Sequence, residues 1–129
     1  MSFGSKAALE TAVQIAEWLC HTAYQCQGLC NWMGTTQQAD EDSEALEIAY
    51  ETLGPDLYGG TSGVSLFLAE TYAAMVEQVS RHLRRTGKIT VAEARDLFAT
   101  SRKYALALME HLDAIGVTKR VGDERTLKA

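Results

Sequence analysis

Apolar side chains recur at three- and four-residue intervals in three stretches of the chain, and each stretch predicts an amphipathic helix. The predicted helices run from Lys6 to Gln27, from Thr61 to Leu83 and from Val91 to Ile115. No two stretches show the alternation of apolar and polar residues that is typical of paired strands. The pattern therefore predicts an all-α chain built as a three-helix bundle.

The helical pattern is lost between Leu29 and Pro55, a stretch that contains the acidic run from Asp40 to Glu44. We therefore predict a long acidic connection between the first and second helices. Residues 117–129 contain four basic and two acidic side chains but few apolar ones. We predict a helical domain over residues 1–116, followed by a mobile basic tail over residues 117–129.

Two kinds of local signal mark the ends of the predicted helices. Thr90 and Glu93 have the spacing of a capping box, in which each side chain bonds to the backbone amide of the other residue. Gly87 and Gly116 follow the second and third helices, where glycine commonly ends a helix.

The 129 residues are 47% hydrophobic and 22% charged, which is typical of a single ordered domain. Such a domain is small for an enzyme pocket, which usually needs several converging elements. No apolar run reaches the ~18 residues of a membrane-spanning helix. Because the chain opens without a secretory leader and has an odd number of cysteines, three, we expect reduced thiols in a cytoplasmic protein with no membrane partner.

The net charge of −5 is unevenly distributed along the chain. Residues 1–80 contain eleven acidic residues and one basic residue, whereas residues 81–129 contain eleven basic and six acidic residues. The two parts therefore have net charges of −10 and +5. Because phosphate binding needs a basic surface, the acidic first part argues against nucleic acid as a partner.

A glycine-rich segment precedes the second helix and is the first candidate for a binding site. Its sequence is neither a Walker loop, since no Lys-Ser/Thr follows, nor a Rossmann fingerprint. Tight packing of the helix start and weak binding of an anion or peptide both remain open. The candidate residues are Tyr58, Gly59, Gly60, Thr61, Ser62 and Gly63.

Four residues near the end of the first helix could ligate zinc, namely Cys20, His21, Cys26 and Cys30. Cys20 and His21 are adjacent, so they point about 100° apart on a helix. Gly28 interrupts the path between the other two cysteines. The spacing favours core packing over a metal site, and we assign no catalytic residue.

The segment Leu53–Ala69, LGPDLYGGTSGVSLFLA, resembles the first glycine-helix repeat of the lanthionine synthetase C-like family. The resemblance is to the cyclase domain of class II lanthipeptide synthetases, and Asn31–Gly34 is similar to its lead-in. It implies an α/α toroid in which zinc activates a peptide thiol for thioether formation. The zinc ligands of that family lie in later repeats, so the resemblance implies no cofactor in this chain and only the opening repeat of a toroid.

Three functions follow as hypotheses. The first is a truncated or stand-alone lanthionine synthetase C-like domain without cyclase activity, which acts in assembly or in binding a cysteine-containing precursor peptide. The second is a zinc-dependent cyclase completed by oligomerisation or by a partner chain. The third is a purely structural helical oligomer. Because a lone repeat leaves apolar surface uncovered, we expect a homo-oligomer or association with the remaining repeats of a larger synthetase.

Overall fold

The computed structural model describes residues 3–39, 46–55, 57 and 60–129, and these contain both helices and strands. The helices are α1 (Lys6–Thr22), α2 (Thr61–Thr86), α3 (Val91–Phe98) and α4 (Arg102–Ala114). The strands are β1 (Tyr24–Cys26), β2 (Leu29–Asn31), β3 (Met33–Ala39), β4 (Leu46–Thr52), β5 (Ile89–Thr90), β6 (Thr118–Val121) and β7 (Glu124–Leu127). The all-α prediction is therefore wrong, and the chain is a mixed α/β protein. Within the described residues, no helix has both the length and the apolar content needed to cross a bilayer.

The chain forms two compact units. The first, the discontinuous unit, comprises Met1–Glu17 and Leu68–Ala129, and the second, the inserted unit, comprises Trp18–Phe67. The boundaries between them fall inside α1 and α2.

The inserted unit contains two antiparallel hairpins, β1 with β2 and β3 with β4. Trp32 lies between them, is buried, and donates its indole N–H to the carbonyl of Leu19 at 2.7 Å. Its own carbonyl accepts from the amide of Leu53 at 2.8 Å. Four strands therefore occupy much of Leu29–Pro55 and of the end of the first predicted helix, which corrects the prediction of one long acidic connection. The acidic run from Asp40 to Glu44 lies outside the described residues.

The discontinuous unit has one hydrophobic core and a three-stranded antiparallel sheet of order β5-β7-β6. The core joins the four helices' apolar faces with Ile89 of β5. Its fully or nearly fully buried members are Leu9, Val13, Val79, Leu83, Ile89, Ala94, Phe98, Ala105, Leu108, Met109 and Leu112. The core stabilises the helices by removing apolar surface from water, at about 25 cal/mol per Å².

The third predicted helix, Val91–Ile115, is two helices in the structure. Ala99 has φ 51° and ψ 39°, in the left-handed region, so the helix ends there without a glycine or proline. Ser101 then caps α4 by accepting from the amide of Tyr104. Residues 117–129, predicted as a mobile tail, contain both β6 and β7.

Candidate functional site

The elements from α2 to β7 follow one another as helix, short strand, two helices and hairpin. The capping box predicted from Thr90 and Glu93 is confirmed and starts α3. The Glu93 carboxylate accepts from the Thr90 amide at 2.7 Å, and the Thr90 hydroxyl accepts from the Glu93 amide at 3.2 Å. These bonds lower the pKa of Glu93 from its ordinary value of 4.5, because they favour the carboxylate. The box fixes where α3 leaves the sheet.

The turn between α3 and α4 fixes the start of α4. The amide of Thr100 donates to the carbonyl of Arg95 at 3.1 Å, which satisfies the end of α3. Burial raises the pKa of Glu17 above its ordinary value of 4.5, and the hydrogen bond that Glu17 accepts from the backbone of Ser101 lowers that pKa by a smaller amount. Two short helices joined by a turn of three residues, 99–101, make a helix-turn-helix arrangement.

The β6-β7 hairpin is attached to α4 by a polar cluster that we call the Asp113 cluster, namely Asp113, Thr118 and Arg125. One carboxylate oxygen of Asp113 accepts from the Thr118 hydroxyl at 2.6 Å, and the other accepts from Arg125 Nε at 3.2 Å. Thr118 is 1% exposed and Arg125 is 2% exposed. Because buried charges are costly unless they are paired, this cluster holds the hairpin in a defined place beside the helix.

Basic side chains project into solvent from both parts of this assembly. Arg102 and Lys103 lie in the first turn of α4, and Lys119 and Arg120 lie on β6. All four are exposed, and none forms an ion pair within the described part of the chain. We call these four residues the α4-hairpin basic face, a name for the group and not for one side of the molecule, because Lys119 and Arg120 are adjacent on β6 and point to opposite sides of the strand. Of the four, Arg102 and Lys103 lie beside the positive end of α4, where a phosphate group is favoured.

A further side-chain contact lies on α4 itself. The hydroxyl of Tyr72, on α2, is 3.0 Å from Nε2 of His111, and the two rings meet edge to face with centroids 5.6 Å apart. His111 therefore contacts α2 rather than acting as an isolated surface group.

The glycine-rich segment predicted as a binding site is partly outside the described residues, because Tyr58 and Gly59 are not described. At the start of α2, the hydroxyls of Thr61 and Ser62 donate to the carbonyls of Gly54 and Pro55. Gly60 is buried just before them. A Cβ on Gly63 would overlap the carbonyl oxygen of Leu57, so the backbone approaches too closely for a side chain there. These contacts supply tight packing of the helix start.

The four candidate zinc ligands are spread over three elements. Cys20 and His21 lie on α1, whereas Cys26 and Cys30 lie on β1 and β2. Cys26 pairs with Leu29, and Cys30 pairs with Gln25. Because cross-strand partners share a face and neighbours alternate, Cys26 and Cys30 are on opposite faces of the hairpin. Among the residues described, no group of three or more histidine, cysteine, aspartate or glutamate side chains could hold a metal ion.

Comparison with known proteins gives two partial matches. A family model described as the winged helix of elongation factor SelB matches residues 81–127. The selenocysteine-specific elongation factor of Haemophilus influenzae is 34% identical over 62 residues. The match covers 48% of this chain, which spans about a tenth of the length of that relative (10%). The helix-turn-helix and the hairpin lie within residues 81–127.

These matches overturn the resemblance to the lanthionine synthetase C-like family, and with it the predicted connection to lanthipeptide biosynthesis. Neither the cyclase completed by a partner nor the purely structural oligomer finds support in the fold or the matches. The resemblance rested on the 17 residues of Leu53–Ala69. A glycine-rich turn before an apolar helix meets local backbone needs that many proteins share, so it is weak evidence for a family.

The α4-hairpin basic face was missed in the sequence because its residues were divided between one long helix and a mobile tail. Two signals could have revealed it. Thr100-Ser101 before Arg102-Lys103 has the form of a helix N-cap followed by a first turn. Gly122-Asp123 separates two short segments with β-branched residues, which is typical of a hairpin.

Proposed function

We propose that residues 81–127 are a winged-helix module that binds RNA during translation, in the manner of a selenocysteine-specific elongation factor. The observation that carries this proposal is the α4-hairpin basic face. It lies on the helix-turn-helix and the adjoining hairpin, within the segment that is similar to the SelB winged helix. The proposal assigns binding, rather than catalysis, to this module and places the protein in the cytoplasm, where translation occurs.

The chemistry of the face suits a phosphate backbone. Arginine and lysine side chains release counterions when they bind phosphates, which provides affinity that depends on salt. Arg102 and Lys103 are also in the first turn of α4, where free backbone amides and the helix dipole favour an anion. Lys119 and Arg120 provide a second pair of cations on β6.

The attached hairpin also fixes the positions of the basic residues on β6. Because the Asp113 cluster attaches β6 and β7 to the end of α4, the two pairs of basic residues are held on one structural unit. RNA helices are recognised mainly through their shape and backbone, so a rigid spacing of cations is more useful here than a flexible basic tail. We therefore propose a structured RNA, of the ribosome, a tRNA or a messenger, as the partner.

This proposal replaces the argument that excluded nucleic acid. That argument used the acidic charge of residues 1–80, whereas residues 81–129 have a net charge of +5. Phosphates respond to the local charge of a surface, within about 10 Å at ordinary salt concentrations, and not to the total for the chain.

The proposal can be tested with the full chain and a fluorescein-labelled RNA hairpin, by measuring fluorescence anisotropy over a range of salt concentrations. We expect Lys103→Gln to weaken binding several-fold and to reduce the salt slope by about 0.7 to 0.9, the loss of one phosphate contact. Lys6→Gln is the control, because Lys6 is also an exposed lysine in the first turn of a helix but is paired with Glu10 at 3.5 Å, unlike Lys103. Equal affinities of the two variants for the RNA would refute the proposed interface.

A further inference from the structure

A small groove opens on the discontinuous unit, and its walls come from α2 and α3 rather than from α4 or the hairpin. It has a volume of about 140 Å³. We call it the α2 groove, and its lining residues are Gln78, Arg81, His82, Arg85 and Leu97.

The polar lining of the groove follows from the helical repeat. Gln78, Arg81, His82 and Arg85 are separated by three or four residues, so they lie along one stripe of α2. Arg84 is adjacent to Arg85 in sequence but points about 100° away around the helix, and it does not line the groove.

The groove contains polar groups that lack a partner within the described part of the chain. Arg85 forms no ion pair within the described ranges. The Nε2 atom of His82 is buried and has no hydrogen-bond partner among the residues described. Arg81 is bound to Glu77 at 2.6 Å, but through one of its guanidinium nitrogens only. A buried polar atom without a partner is uncommon in a folded protein and needs an explanation.

The acidic groups around the groove are already engaged. Glu77 pairs with Arg81 and does not line the groove. Glu93 lies close enough to His82 for a charge interaction, but its carboxylate accepts from the Thr90 amide and hydroxyl. Among the residues that the structure describes, the lining has two arginines and no carboxylate. This charge favours an anion.

We propose that the α2 groove binds a backbone phosphate of RNA, as a second contact separate from the α4-hairpin basic face. A groove of about 140 Å³ suits a phosphate group better than a whole nucleotide. Among the described residues, the lining has no phenylalanine, tyrosine or tryptophan on which a base could stack, and the ring of His82 is partly buried, so the groove suits the backbone and not the sequence. The choice of RNA over another phosphate source rests on the proposed function.

The test compares Arg85→Gln with Arg84→Gln in the full chain. The two substitutions remove the same charge from adjacent exposed positions of α2, but only Arg85 lines the groove. We expect Arg85→Gln to weaken binding of the labelled RNA hairpin at least threefold more than Arg84→Gln and to reduce the salt slope by about 0.7 to 0.9. Thermal unfolding of both variants checks that the fold is retained. NMR signals of the His82 ring report on the groove directly, and we expect them to shift when RNA is added.

The outcomes separate this inference from the proposed function. Equal losses of RNA affinity in the two arginine variants, or a His82 signal that RNA does not move, overturn the groove as a contact. A loss with Arg85→Gln but none with Lys103→Gln supports the groove and refutes the α4-hairpin interface. A loss of RNA affinity with Lys103→Gln and none with Arg85→Gln supports the α4-hairpin interface and overturns the groove as a contact. If inorganic phosphate shifts the His82 signal and RNA does not, the groove binds a free anion and the RNA assignment is wrong.

Discussion

The Asp113 cluster allows a sharp test of how the hairpin is held against α4. We consider Asp113→Ala, which removes the acceptor of both Thr118 and Arg125. The Arg125 side chain is 2% exposed and the Asp113 side chain is 21% exposed. Asp113→Ala therefore leaves a guanidinium buried without a counter-charge, and solvent cannot replace the lost carboxylate.

Asp113 and Arg125 differ in exposure, so their substitutions should lower the free energy of unfolding by different amounts. Removing one partner of a buried ion pair typically costs 3–5 kcal/mol. We expect about 3 kcal/mol for Asp113→Ala, at the lower end because Asp113 is partly exposed. We expect only about 1 kcal/mol for Arg125→Met, since the remaining carboxylate keeps its bond to Thr118 and reaches water. The double variant should lose about 1–2 kcal/mol less than the sum of the single losses.

Urea unfolding followed by circular dichroism measures the change in the free energy of unfolding. Amide hydrogen exchange in α4 and β7 shows whether the loss is located there. The reasoning about burial would be refuted by a larger loss in Arg125→Met than in Asp113→Ala, or by additive losses in the double variant. Thr126→Ala is a suitable control, because Thr126 lies on β7 next to Arg125 but outside the cluster.

Four further predictions concern the capping box, Glu17 of α1 and the turn at Ala99. Thr90→Ala removes the N-cap acceptor of α3 and should lower the free energy of unfolding, measured with urea, by about 1 kcal/mol. The pKa of Glu93 is lowered in the folded state, so its carboxylate stabilises the fold above its ordinary pKa of 4.5, and this effect is lost as the pH falls through the folded-state value. In urea unfolding from pH 3 to 7, the free energy of unfolding should therefore depend less on pH for Glu93→Gln than for the natural chain. Burial raises the pKa of Glu17, so its contribution to the free energy of unfolding is present below pH 4.5 and is lost as the pH rises through the folded-state pKa. Glu17→Gln should therefore be more stable than the natural chain at pH 7 in the same assay. Ala99→Gly should raise stability by about 0.5–1 kcal/mol, because glycine adopts φ 51° without strain, and an unchanged or lower thermal midpoint would contradict this.

The fold class was predicted wrongly, and the features predicted correctly were local ones. The capping box at Thr90 and Glu93 is visible in the sequence because it needs only two side chains at a fixed spacing. The start of α2 at Thr61 was also predicted correctly. The break at Ala99 was not, because alanine favours helices and gives no local signal for the left-handed conformation found there.

The strands of the discontinuous unit were missed because they are short. β5 has two residues and β6 and β7 have four each, which is too short for an alternating pattern to stand out. The candidate site depended on those strands, since Lys119 and Arg120 are brought beside the helix-turn-helix only by the hairpin. Arg125 reads as a surface residue in the sequence, and only its pairing with Asp113 explains its burial.

The bonds of the Asp113 cluster also bear on how quickly this part of the chain can form. Thr118 is five residues from Asp113 in sequence, and Arg125 is twelve residues away. Contacts between residues so near in sequence need only short loops to close, and such closure is fast. Helix α4 and its hairpin can therefore pack together as soon as both have left the ribosome, before distant segments of the chain have paired.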